Sequence, residues 1–263
     1  MSKNTVSIPI TEYARVIYPK GKISLHPLMN EDIPAVAELY REVWITAQNF
    51  RERLSMDNDR SFKNIGGMFI IQDAESLKKM LHNPLHIATV AKNQQGQVIA
   101  FIGIGFISPD RAAHDKITYF DWCRHFDDEI RQADRSGALA WGGEMISAAN
   151  HLYPSFSVPL IHTQFRLMQN RGIRLTLGEI YRVTGYSRDG AAIETDLLNE
   201  RSMAAFKRIG AVHIGESPTK RLSLDSLQVT IHPQVICCDI NEALKATCRV
   251  MHDKNLTYQK GVI

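Results

Sequence analysis

The stretch LYPSFSVPLIHTQFRLMQNRGIRLTL, Leu152–Leu177, constrains the fold most. A β-rich run ends at Pro154, an amphipathic segment follows, and Gly172 breaks that segment just after Arg171. A second β-rich run comes next. Strand, helix and strand joined this tightly make a crossover unit, which requires a sheet with helices packed on it. Ser155 or Ser157 is placed to cap the helix, and Pro159 suits its first turn. A helix that starts directly after a strand offers free N–H groups and the positive end of a dipole, which suits a phosphate. Phosphate loops usually carry glycines so that backbone and ligand can approach closely. From Leu152 to Arg171 there is none.

Around this unit the chain alternates strand and helix signals. KISLHPL (Lys22–Leu28) alternates as a strand does. Asn30 or Asp32 then caps a helix whose apolar face is Ile33, Val36, Ala37, Tyr40 and Val43/Trp44. SMDNDRSFKNIGG reads as a loop or short helix, GMFIIQ as a short strand, and DAESLKKML as a helix capped by Asp73. His86–Ser108 is a hairpin around the polar turn NQQG. Pro109–Gly137 is expected to be a helical insertion, with Tyr119, Phe120, Trp122 and Phe126 lining a pocket or forming core. ALAWGGEMISAANHLY is a strand with a bulge expected at Gly142–Gly143. After a loop expected around Gly185–Gly190, Asn199 caps a helix that Gly210 ends. AVHIG, LQVTIHPQVICCDI and NEALKATCRVMH supply further strands and a last helix.

Composition excludes several classes. The chain has 263 residues, 44% hydrophobic and 22% charged, with a net charge of +3. Its Lys and Arg are scattered rather than striped, so no nucleic-acid partner is expected. The longest apolar run, Val98–Ile107, is about half of what a membrane span needs. Met1–Ile10 lacks the apolar core of a signal peptide. Cys123, Cys237, Cys238 and Cys248 have no framework spacing, which suggests reduced thiols in a cytoplasmic protein. His82 and His86 have metal-like spacing, but Pro84 lies between them and no further ligand follows in pattern, so no metal site is expected.

The order of elements resembles the GNAT N-acetyltransferase superfamily. The resemblance covers Ile23–Gly215. It rests on ISLHPLMNEDIPAVAELYREVW, on the hairpin ATVAKNQQGQVIAFIGIGFI, on the crossover unit with its Arg-Gly-Ile, and above all on LLNERSMAAFKRIGAVHIG. The last matches the family's Asn-x-x-(Ser/Ala) helix, which ends in Lys-x-x-Gly before a strand. The resemblance implies an α/β fold with a mixed, mostly antiparallel central sheet. Helices flank this sheet, and it splays into a V between its fourth and fifth strands. It further implies an N-terminal extension at 1–22, an acyltransferase domain at 23–220 with an insertion at about 109–137, and a C-terminal extension at 221–263 that offers a homodimer surface.

The same resemblance implies transfer of an acyl group from a thioester, acyl-CoA or acetyl-CoA, directly to a small-molecule amine, without metal. It places Glu144, or alternatively His151, as base. The donor site falls on Leu152, Tyr153, Ser155, Ser157, Leu160, Ile161, His162, Asn199 and Phe206. There are two departures from the family pattern. The (Gln/Arg)-x-x-Gly-x-(Gly/Ala) loop is replaced by Ser157, Leu160 and His162. Phe206 stands where a Tyr usually protonates the leaving thiolate, and Phe has no proton to give. Three readings follow: CoA bound in a relaxed mode, the phosphopantetheine of an acyl-carrier protein as donor, or a non-catalytic binding module.

Overall fold

The computed structural model describes residues 12–19, 21–43, 45–55, 72–106, 128–147, 153, 155–188, 191–225 and 227–261. The main sheet contains β1 (Ala14–Tyr18), β2 (Gly21–Pro27), β3 (His86–Lys92), β4 (Val98–Phe106) and β5 (Leu139–Ser147). It continues with β6 (Leu175–Ile180), β9 (Val212–Glu216), β12 (Gln234–Asp239) and β13 (Thr257–Lys260). Across the sheet the order is β13-β1-β2-β3-β4-β5-β6-β12-β9. Neighbours are antiparallel except β5 and β6, which run parallel. This is the mixed, mostly antiparallel sheet expected.

A second, antiparallel sheet has the order β10-β11-β7-β8. Its strands are β7 (Arg182–Arg188), β8 (Ala191–Leu198), β10 (Lys220–Leu224) and β11 (Leu227–Ile231). Here the structure departs from the sequence reading. The loop expected around Gly185–Gly190 is largely strand, because Gly185 sits at a register shift against β8, where a Cβ would stand 3.3 Å from the Ile193 carbonyl oxygen. Glycine inside a strand marks close backbone approach as readily as it marks a turn. The expected extensions also supply strands of the main sheet: β1 and β13 pair at one edge, and β12 lies inside, between β6 and β9.

The helices are α1 (Ile33–Val43), α2 (Ala47–Ser55), α3 (Ala74–His82), α4 (Asp128–Arg135), α5 (Ser157–Asn170), α6 (Glu200–Arg208) and α7 (Ile240–Asp253). Their ends follow local chemistry. Asp73 accepts from the Ser76 N–H at 2.7 Å, and Asn199 from the Ser202 N–H at 3.0 Å. Gly172 and Gly210 follow α5 and α6 at φ +77° and +88°, a conformation that only glycine adopts freely. Asn30–Asp32 form a 3₁₀ turn before α1, and the Asp32 carboxylate accepts from the Met29 N–H at 3.2 Å. Asp32 is buried and ion-paired with Lys92 at 2.7 Å, so the start of α1 is pinned to β3. Breaking such a buried pair costs about 3–5 kcal/mol, because a charge is left uncompensated.

The two faces of the main sheet carry different helices. One face packs Leu160, Ile161, Phe165 and Met168 of α5 and Ala243 and Met251 of α7 against Ile87, Ile102, Ile104 and Ile236. The other packs Val36 and Tyr40 of α1 and Leu77 of α3 against Val90, Phe101 and Ile146. Further along that second face, Ile130 and Ala133 of α4 meet Leu139, Leu175 and Leu177. Phe50 of α2 instead packs with Val183, Leu197, Val229 and Ile231 of the small sheet. Among the described residues, no helix is long and apolar enough to cross a membrane.

Candidate active site

β5 and β6 pair only over Leu139–Trp141 and Leu175–Leu177. Beyond them each strand keeps a partner on its far side alone, β5 with β4 and β6 with β12. The parting has a local cause. Between Trp141, opposite Gly105, and Glu144, opposite Gly103, β5 carries one extra residue. This is the bulge expected at Gly142–Gly143, and a bulge bends its strand and increases the local twist. The bend begins where the pairing with β6 stops. The sheet therefore splays between β5 and β6, the fourth and fifth strands counted from β2, where the V is expected, and the β5 edge that faces β6 has backbone groups without a strand partner among the described residues.

A cavity of 390 Å³ fills the splay. Strand alternation sorts its walls onto the two faces of the sheet. Ile102, Ile104, Ile161, Phe165, Ile180 and Ile236 belong to the α5-side core, and with them Thr176, Cys238, Asn199, Ser202 and Phe206 line one end. On the opposite face the lining is Met80, His86, Gly103, Gly105, Trp141, Leu177 and Glu179. The lining of the cavity thus comes from both faces of the sheet. The cavity is the size of a small-ligand pocket.

The sequence-derived site divides unevenly over this frame. Ile161, Asn199 and Phe206 line the cavity. Asn199 Oδ1 is used as the cap of α6 while its N–H donates to the Tyr181 carbonyl at 3.2 Å. Its Nδ2 has no hydrogen-bond partner among the described residues. Phe206 brings only an apolar ring. Glu144 stands on β5 opposite the cavity-lining Gly103. His151 and Leu152 lie outside the described residues.

The other five calls are not among the residues that line the cavity. Tyr153 packs on Tyr18, with ring centroids 5.0 Å apart, and its hydroxyl reaches the Lys22 carbonyl at 3.5 Å. Leu160 is fully buried in the core rather than blocking a ligand. His162 does not face a phosphate. It is buried against α7, with Nδ1 2.7 Å from Thr247 Oγ1 and its ring edge-on to Tyr258. Burial, with a smaller effect of Arg166, lowers its pKa to about 4, so it is neutral. Ser155 does not cap α5: it lies at φ 57° and its carbonyl accepts from the Val158 N–H, while Phe156 occupies the cap position without a side-chain bond. Ser157 is the first residue of α5, half-buried. The first turn of α5 therefore has no side-chain cap.

The structure brings to the cavity polar residues that the sequence reading does not place at the site. Glu179 lines the cavity with both oxygens engaged, Oε2 with Lys220 Nζ at 2.5 Å and Oε1 with Ser217 Oγ at 2.6 Å. Lys220 also lies over the Tyr181 ring, 5.5 Å from its centroid. Thr176 Oγ1 and His86 Nδ1 are buried without partners. Cys238 is sealed in the wall, and burial pushes its thiol up to about 12, so it is not a thiolate nucleophile. No group of three His, Cys, Asp or Glu side chains suited to a metal occurs among the described residues.

The splayed sheet with its flanking helices is the arrangement expected from the order of elements in the sequence. No family model matches the sequence, and no curated protein matches it. Among solved structures, Mycobacterium smegmatis RimJ in complex with CoA-disulfide is 11% identical, with a TM-score of 0.48 over 92% of this chain and 94% of that one. Spermidine N-acetyltransferase from Vibrio cholerae in complex with CoA and spermine is 11% identical, with a TM-score of 0.46 over 84% of this chain and 98% of that one. The ribosomal-protein-S18-alanine N-acetyltransferase from Escherichia coli is 9% identical, with a TM-score of 0.46 over 83% and 94%. These likenesses are distant, and the chemistry of the present chain rests on its own cavity.

Proposed function

We propose that this chain is an N-acyltransferase that moves an acyl group from a pantetheine thioester, acetyl-CoA or a longer acyl-CoA, directly to an amine. The observation that carries this reading is the splay filled by a cavity lined from both faces of the sheet. An extended arm can pair with the open β5 edge as another strand would, while the thioester carbonyl meets strand amides that stabilise the developing oxyanion. Asn199 Nδ2 holds the arm and Phe206 and Ile161 pack beside it. The uncapped first turn of α5 suits an anionic end of the donor. Holding donor and amine together in one cavity turns a two-body encounter into a local step. Glu144 is the carboxylate that the resemblance offers as base.

An acyl-carrier protein is the second donor reading. It is favoured by the glycine-free start of α5, because a carrier brings the pantetheine arm without the adenosine pyrophosphate. Parallel calorimetric titrations with acetyl-CoA, a long-chain acyl-CoA and an acyl-carrier protein separate the readings. Micromolar binding of a CoA supports the first and binding of the carrier alone supports the second. Binding of neither leaves a non-catalytic module.

A further inference from the structure

We propose that His86 is the catalytic residue that takes the proton from the acceptor amine, working from the face of the sheet opposite the donor. This rests on the acyl-transfer reading above. Asn199, Phe206 and the start of α5 lie on one side of the splay, so the donor arm is held there. An amine that attacks the thioester without displacing the arm enters from the other side. The titratable side chains that line the cavity on that side are His86, Glu179 and Tyr181, and the Tyr181 ring lies under Lys220 Nζ, 5.5 Å from its centroid. Glu179 is committed to Lys220 and Ser217. His86 is not committed: neither ring nitrogen has a hydrogen-bond partner among the described residues, and Nδ1 is sealed from solvent.

The fold makes room for this ring. His86 pairs with Gly105 across β3 and β4, and Trp141 pairs with Gly105 from the other side. A Cβ on Gly105 would stand 3.3 Å from His86 Nε2, so the glycine lets the imidazole lie across the strand into the cavity. Met80 covers the neighbouring Gly103 in the same way. An unpartnered imidazole at a small-molecule cavity costs stability unless a ligand completes it.

The charge state suits a base. Burial lowers the His86 pKa below its ordinary value, and no charged neighbour contributes. Of the groups on the packed elements, Lys79 and His82 of α3 are exposed and Glu179 of β6 is ion-paired. The imidazole is therefore neutral at pH 7. In the step, the amine nitrogen forms a bond to the thioester carbon, its proton passes to His86 Nε2, and the carbon–sulfur bond breaks. The thiolate leaves and is protonated by solvent, since Phe206 cannot supply a proton. The imidazolium returns its proton to water.

The test uses the full chain and the variants His86→Gln and Glu144→Gln. Acetyl-CoA affinity is read by calorimetry, and turnover with n-butylamine and phenethylamine is read against pH. His86→Gln is expected to keep donor affinity, lower kcat about 100-fold or more, and abolish the acidic limb of the pH profile below pH ~6.5. Wild-type turnover and limb in His86→Gln, or loss of the limb in Glu144→Gln instead, overturn the assignment. If the wild-type chain binds no donor, the acyl-transfer reading fails first, visibly at the calorimeter, and the base role falls with it. If donor binds but neither amine reacts, ring ¹⁵N NMR of His86 decides. A shift on adding amine to the donor complex supports the role, and an unmoved signal overturns it.

Discussion

His162 Nδ1 and Thr247 Oγ1 lie 2.7 Å apart, and this contact ties α5 to α7 beneath the sheet. Thr247 also donates toward the Ala243 and Leu244 carbonyls at 2.9 Å, so the imidazole is one member of a buried network. His162 has its pKa lowered to about 4, chiefly by burial, from an ordinary 6.5. The unfolded chain therefore binds this proton more readily than the folded one. The stabilisation from the neutral ring is whole above pH 6.5 and is lost as pH falls toward about 4. Between pH 7 and pH 5 this one group is expected to remove about 2 kcal/mol. Denaturant unfolding at both pH values, compared with His162→Gln, checks it through a smaller pH difference in the variant.

Gln164 joins α5 to the sheet in a similar way. Its Nε2 donates to the Ile87 carbonyl and its Oε1 accepts from Thr89 Oγ1, both at 2.8 Å and fully buried. Gln164→Leu strands the Thr89 hydroxyl and is expected to cost about 1–3 kcal/mol. Thr89→Val combined with Gln164→Leu removes both ends and is expected to recover part of that loss in a double-mutant cycle.

Gly103 lies under Met80 and Phe101, and a Cβ there would stand 2.8 Å from Met80 Sδ and 2.9 Å from Phe101 Cζ. Gly103→Ala is expected to cost about 1–3 kcal/mol through overpacking. It also shifts Met80 at the mouth of the cavity, so acceptor KM should change more than donor affinity does.

Asn199 has two tasks that substitution can separate. Its oxygen caps α6, and its side chain lines the cavity. Asn199→Ala is expected to lose about 1 kcal/mol of stability together with donor affinity. Asn199→Asp keeps a good cap and removes the amide donor, so stability should hold while donor affinity falls.

Much of this architecture could be read from residues whose effects are local. Asp73 and Asn199 cap helices because their side chains reach N–H groups three residues on, and Gly172 and Gly210 end helices because of their positive φ. The Gly142–Gly143 bulge was legible for the same reason. The β7–β8 hairpin was not, because Gly185 serves a close strand approach that only the partner strand reveals. Sequence order also hides that β12 sits between β6 and β9. Asn199, Ile161 and Phe206, which one helical motif and one crossover single out, line the cavity. His86 and Glu179 line the same cavity from β3 and β6, and no spacing in the chain links them. His162 was misplaced because helix phase, which turns it toward α7, depends on where α5 starts.

The central claim is that the splay between β5 and β6 holds a pantetheine thioester. The most direct measurement is a calorimetric titration of acetyl-CoA and an acyl-carrier protein into the wild-type chain and into Ser202→Trp, which fills the cavity from α6. Micromolar binding of either donor to the wild type, abolished in the variant, is the predicted result. Absence of binding, or binding that Ser202→Trp leaves unchanged, contradicts the claim.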